Sequence, residues 1–349
     1  MNIDQLNDKI LGCLVGSAMG DAIGAPSEAL SQDEILKVYG KPISRFIQGI
    51  DSIYTHGNNI AEVTDDSSQM YELAKTMVEC DGNITPLKVG EALVRWSKLY
   101  PKYYPRNAGP TTQFAINELE AGKDPKEIGQ LGGIYQRGTS NGAAMRIAAA
   151  GLVNPGDLNG AVETAIIMTL PTHGTQHAYS GACAIACGIA EGLKENSDVH
   201  SVLKAISWGA KEGERRGLKE ARIACGLRVP PQINEAISIA YDSESMQETL
   251  RRLDESIGND TSIQQAVGTA VGIFTAADGN IYESIKGGAN VGGDTDTIAC
   301  IAGSLAGALN GFTNIPVDLY KEFKEANPKL DFESVAKALS SIAYRRMKG

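Results

Sequence analysis

Two short acidic stretches hold the residue types that could do chemistry. One is Gly292-Gly293-Asp294-Thr295-Asp296-Thr297; the other, far away in the chain, is Thr64-Asp65-Asp66. Each opens an apolar pattern of helical period. Ile298, Ile301, Ala302, Leu305 and Leu309 follow the first, and Met70, Leu73, Ala74, Met77 and Val78 follow the second. The acids therefore stand at helix N-termini, where backbone N–H groups and the helix dipole favour negative charge. Helix capping is the plain reading, because Asp and Thr are favoured N-caps. The chemical reading needs both helix starts to face one cavity. Four carboxylates would then repel strongly, and two divalent cations would neutralise them. Ligands that are all oxygen suit Mg²⁺, Mn²⁺ or Ca²⁺ rather than zinc.

The elements that must position these acids read as helices almost throughout. Residues 5–20 form one, with Gly12, Gly16 and Gly20 in a stripe that admits another helix closely. It is expected to end near Gly20-Asp21, with a loop over 22–28. Segment 31–63 gives no clear period. Pro86 opens a helix over 86–99, residues 100–112 are a Pro- and Tyr-rich loop, and 114–121 is helical with Gly122 as its stop. A glycine-rich loop runs from Gly132-Gly133 to Asn141-Gly142, and an apolar helix is expected over 143–153. Further helices are expected over 161–170, 178–193, 199–216, 233–240, 246–257, 263–276 and 332–346. Strand patterns are weak everywhere. The expectation is an all-α fold of ten or more helices in a single domain, residues 1–349.

The net charge of −10 and a pI near 5.0 make nucleic acid an unsuited partner. The six cysteines are scattered without a CxxC, which reads as reduced thiols of a cytoplasmic protein. Cys183 and Cys187 share a helix face and read as core. Early acids, Asp4 and Asp8, and the lack of a basic n-region argue against a signal peptide. The apolar run 178–193 is short and contains Glu191, so it reads as a buried helix and no membrane is expected.

Five motifs in order carry a resemblance: residues 16–28 (GSAMGDAIGAPSE), Thr64-Asp65-Asp66, residues 140–146 (SNGAAMR), Thr172-His173 and the GGDTDT stretch at 292–297. Together they resemble the ADP-ribosylglycohydrolase family over roughly residues 9–311. The resemblance implies a compact orthogonal multi-helix domain and two Mg²⁺ or Mn²⁺ ions. It implies Thr64, Asp65, Asp66, Asp294, Asp296 and Thr297 as their ligands, with Asp296 as the bridge. The implied reaction is hydrolysis at C1 of a ribose, with Glu28, Asp65 and Asp294 as the candidates for proton transfer. The loop Gly138-Thr139-Ser140-Asn141-Gly142 has backbone N–H groups that can cradle a phosphate ahead of the helix at Ala143. The resemblance implies its contact with the diphosphate and ribose of ADP-ribose, and it adds His173, Gly292 and Gly293 beside the substrate. Tyr135 is a candidate for base stacking. The implied substrate is an ADP-ribosylated protein or a small ADP-ribosyl or nucleoside compound. Rival readings are a hydrolase of free nucleosides or nucleotides, a sugar kinase, and a non-catalytic ADP-ribose-binding or structural member. The kinase lacks support because no GxxxxGK[ST] loop occurs.

Overall fold

Seventeen α-helices and three short 3₁₀ turns build the computed structural model, which describes residues 1–50, 54–134 and 136–348. Tyr135 lies outside the described residues. The helices are α1 (Ile3–Gly24), α2 (Gln32–Tyr39), α3 (Asp65–Glu79), α4 (Pro86–Leu99), α5 (Pro110–Glu120) and α6 (Pro125–Ile128). Next come α7 (Ala148–Leu152), α8 (Leu158–Thr169), α9 (Gln176–Gly192), α10 (Val199–Glu220), α11 (Val229–Asp242) and α12 (Met246–Ser256). The chain closes with α13 (Ile263–Ala276), α14 (Ile281–Asn290), α15 (Thr295–Asn310), α16 (Val317–Ala326) and α17 (Phe332–Lys348). No strand occurs among the described residues, so the fold is all-α as expected.

Helices α1 and α15 form the axis of the core. The glycine stripe of α1 lies against a matching stripe on α15. A Cβ added to Gly16 would sit 2.6 Å from the Gly303 carbonyl oxygen, and one on Gly307 would sit 2.0 Å from that of Gly12. Only glycine permits backbones this close. The stripe continues past the expected helix end. Gly20 meets the Ala299 carbonyl and Gly24 meets that of Thr295, each at under 2.5 Å from a hypothetical Cβ. So α1 runs to Gly24 and passes into a 3₁₀ turn, Ala25–Ser27, where a loop was expected. The carboxyl end of α1 is thereby held beside the amino end of α15. By length and composition Ile3–Ser27 could cross a membrane, but its apolar stretch is wholly buried by its neighbours.

Other expectations need correction. Segment 31–63 contains α2, set by a capping box between Ser31 and Glu34 and ended by Gly40 at φ 72°. Helix α5 starts at Pro110, four residues before the expected start, because proline fits the first helical position. The apolar helix over 143–153 is broken: a 3₁₀ turn covers Asn141–Ala143 and α7 begins only at Ala148. The intervening turn sends Arg146 inward. Helices α6, α14 and α16 had no expectation. By contrast, α4 and α13 have the bounds that the sequence pattern gives. Cys183 and Cys187 are fully buried in α9, as core side chains.

Candidate active site

Three helix ends meet at one place. Thr64 caps α3, its hydroxyl accepting from the Asp66 amide, so Asp65 and Asp66 enter the first turn. Asp294 is the residue before α15, and Asp296 and Thr297 lie in that helix's first turn. Glu28 directly follows the 3₁₀ turn Ala25–Ser27 that continues α1. The Ala29 amide donates to the Gly293 carbonyl at 2.8 Å, and the Gly293 amide donates to that of Leu30 at 2.9 Å. These two bonds bind the Glu28 segment to the GGD turn. Gly292 and Gly293 have φ of 85° and 69°, and a Cβ on Gly293 would lie 2.3 Å from the Asn259 carbonyl oxygen. Both glycines are thus required by the backbone that delivers Asp294.

The two acidic stretches touch. Thr297 Oγ1 donates to Asp66 Oδ2 at 2.7 Å, and Thr64 Oγ1 donates to Asp296 Oδ2 at 3.4 Å. Carboxylate oxygens of Glu28, Asp294 and Asp296 lie within 4.8 Å of one another. Asp65, Asp66, Asp294 and Asp296 are all buried. Burial and the nearby Asp296 charge push the Asp65 carboxyl up to about 8. The same two causes, in the same order, hold Asp66, Asp294 and Glu28 well above the usual carboxylate range. Glu28 Oε2 is buried, and no donor hydrogen-bonds it. A dense set of hard oxygen donors that cannot all ionise together fits divalent cations.

The loop at 138–142 differs from the expected cradle. The Gly138 amide donates to Thr111 Oγ1, the Thr139 amide to the Gln136 carbonyl, and the Asn141 amide to the Thr261 carbonyl. Three of its five amides thus point into the protein. The element that follows is a 3₁₀ turn of three residues, which lacks the dipole of a full helix. Asn141 reaches the acidic cluster itself, its Nδ2 donating to Asp294 Oδ2. His173 is fully buried; its Nε2 lies 2.8 Å from Ser140 Oγ. Burial, and then the Arg146 charge, hold its imidazole well below the usual range, so it is neutral. His173 therefore supports the loop from behind.

The model of the ADP-ribosylglycohydrolase family matches residues 2–348. The chain belongs to this family. It is 29% identical over 343 residues to YegU of Escherichia coli (strain K12), covering 97% of this chain and 98% of that protein. It is 24% identical over 323 residues to the human ADP-ribosylhydrolase ARH3, covering 87% and 86%. A solved ADP-ribosylglycohydrolase-related protein complex contains a chain of the same fold, with a TM-score of 0.69 and 20% identity, covering 97% of this chain and 99% of that one.

Two residues that shape this site had no role in the sequence reading, although Asp21 lies inside the motif at residues 16–28. Asp21 is fully buried and accepts from the Thr64 amide, the Ser67 amide at 3.0 Å and Ser67 Oγ at 2.5 Å. It ties α1 to the start of α3. Burial and Asp296 push its carboxyl up to about 7. Gln69 donates to Asp65 Oδ2 at 2.7 Å and accepts from Arg146. Asp21 stands next to the glycine stripe and Gln69 stands one turn after Asp65, so helical spacing was the available signal for both.

Proposed function

We propose that this protein hydrolyses the bond between C1 of an ADP-ribosyl ribose and an acceptor atom. We further propose that Thr64, Asp65, Asp66, Asp294, Asp296 and Thr297 hold two divalent cations, Mg²⁺ or Mn²⁺. The observation that carries this reading is the meeting of both acidic helix starts with Glu28 in one buried cluster. Bound cations would supply Lewis acidity and neutralise the crowded carboxylates. The chain's own groups divide the remaining work. Asp65 and Asp294 are fixed by amide donors from Gln69 and Asn141, which suits carboxylates that hold an ion. Glu28 Oε2 has no such donor, which suits a carboxyl that moves a proton. Water attacks C1, the bond from C1 to the acceptor breaks, and Glu28 carries the proton from the water oxygen to the acceptor atom. The family and the name of the human relative support an ADP-ribosyl substrate. The scattered cysteines support a cytoplasmic setting.

The test is a screen of the purified protein with Mg²⁺ or Mn²⁺. Substrates are ADP-ribosylated arginine, ADP-ribosylated serine, O-acetyl-ADP-ribose and free nucleosides, and the released ribosyl product is measured. Cleavage of an ADP-ribosyl compound that stops on chelation is expected. Cleavage of free nucleosides alone would replace this reading with the nucleoside hydrolase.

A further inference from the structure

Behind the loop at 138–142 lies a buried chain of hydrogen bonds whose direction can be worked out. It starts at Arg146, which is 2% exposed. A guanidinium only donates. Its Nη1 donates to Gln69 Oε1, and its Nη2 donates to Thr172 Oγ1 at 2.6 Å. The Thr172 hydroxyl has one proton to give. Two acceptors are near: His173 Nδ1 at 2.7 Å and the Thr169 carbonyl at 3.5 Å. The shorter contact decides for Nδ1. A neutral imidazole that accepts at Nδ1 carries its proton on Nε2. Nε2 faces Ser140 Oγ at 2.8 Å and must donate to it. The ring has room there because residue 142 is glycine; a Cβ on Gly142 would lie 3.2 Å from His173 Cε1. Ser140, half-buried and next to the Asn141 that touches Asp294, is left with its own proton pointing away from the ring.

We infer that Arg146, Thr172 and His173 are positioning residues that fix the Nε2–H tautomer of His173 and so commit the Ser140 hydroxyl to donate to the substrate. The matching ligand group is an acceptor oxygen, and an anionic phosphate oxygen fits it best. This deepens the proposed function and rests on it for the phosphate. The relay itself is a property of the folded chain alone.

Nitrogen-15 NMR of the histidine-labelled protein reads the tautomer directly, with only four histidines to assign. His173 should show a bare Nδ1 and a protonated Nε2. A proton on Nδ1 would overturn the relay. Thr172→Val removes the donor to Nδ1 and keeps the shape. It should shift the His173 proton toward Nδ1 and weaken ADP-ribose binding about tenfold, while Thr172→Ser restores both. A spectrum unchanged in Thr172→Val would also overturn the relay. If that variant fails to fold, the wild-type and Thr172→Ser spectra still decide. Ser140→Ala should weaken ADP-ribose binding about tenfold and leave the His173 tautomer in place. Unchanged affinity would remove Ser140 as a donor to the ligand. A wild-type protein that binds no ADP-ribose would sink the proposed function, and the phosphate with it, while the spectrum would still judge the relay.

Discussion

Asp296 stands at the centre of the acidic cluster. Its charge is a cause of the raised carboxyls of Asp21, Glu28, Asp65, Asp66 and Asp294. Asp296→Asn keeps the shape and removes that charge. Without metal the variant should melt at or above the wild-type temperature, because repulsion among the remaining acids falls. Its melting point should rise less on adding Mn²⁺, since a neutral amide is a weaker cation ligand than a carboxylate, and activity should fall by orders of magnitude. Full activity with the full Mn²⁺-induced rise would make Asp296 only a helix cap. Glu28→Gln separates proton transfer from ion holding. It should lower turnover about a hundredfold or more and leave the Mn²⁺-induced rise largely intact. Equal loss of both would make Glu28 an ion ligand first. At this scale the two acidic stretches were legible as helix starts from type and spacing, while Glu28 and the set of ligands came only as what the resemblance implies. Asn141 was legible as a site residue, but its contact with Asp294 was not. Neither was the turning inward of the Gly138, Thr139 and Asn141 amides. The contacts of Asn141 and Gly138 depend on segments far away in the chain, at Asp294, Thr261 and Thr111, while that of Thr139 is a local turn to Gln136.

The cluster forms because two helices approach more closely than side chains allow. Gly12, Gly16, Gly20 and Gly24 face Gly311, Gly303, Ala299 and Thr295, so the register of α1 on α15 fixes Glu28 beside Asp294. Gly307→Ala tests this. In an isolated helix alanine is favoured over glycine by about 1 kcal/mol. Here the new Cβ would fall 2.0 Å from the Gly12 carbonyl oxygen, and backbone must move. The variant should lose about 3 kcal/mol or more, read as a lower denaturation midpoint, and should lose Mn²⁺ affinity as the register shifts. Gly109 is the control. It sits at φ −62° with nothing near a hypothetical Cβ, so Gly109→Ala should stay within about 0.5 kcal/mol. Stability equal to the wild type in Gly307→Ala would mean the helices slide freely. The stripe on α1 was legible in sequence, while its partner on α15 was not, because a stripe of small residues does not say what packs on it. Helix α2 was not legible, because its eight residues give too few turns for a period to stand out. The break between Asn141 and Ala148 ran against an apolar pattern. There the inward contacts of Arg146 with Gln69 and Thr172 override local propensity.

For the whole molecule, these buried acids make stability depend on pH in an unusual direction. Asp21 and Asp65 are pushed up to about 7 and about 8 by burial first and Asp296 next. In the unfolded chain such groups titrate near about 4. Between those limits the folded state holds protons that the unfolded state has released, so stability falls as pH rises. Two buried histidines pull the other way. His173 and His177 are held below their usual range, chiefly by burial, so unfolding takes up protons once pH drops below about 6.5. Above about pH 6.5 both histidines are neutral in either state, and only the acids act. The melting temperature of the metal-free protein should therefore fall steadily from about pH 6.5 to about pH 8. Divalent cations bind the ionised carboxylates, so their stabilising effect grows with pH. Saturating Mn²⁺ should flatten or reverse the slope. Calorimetry of chelated and Mn²⁺-loaded protein across this range reads both slopes in one experiment. A metal-free melting temperature that climbs between about pH 6.5 and about pH 8 would mean that the acids are not crowded in solution as they are here. A slope that falls but does not respond to Mn²⁺ would keep the crowded acids and remove the cations from the proposed mechanism.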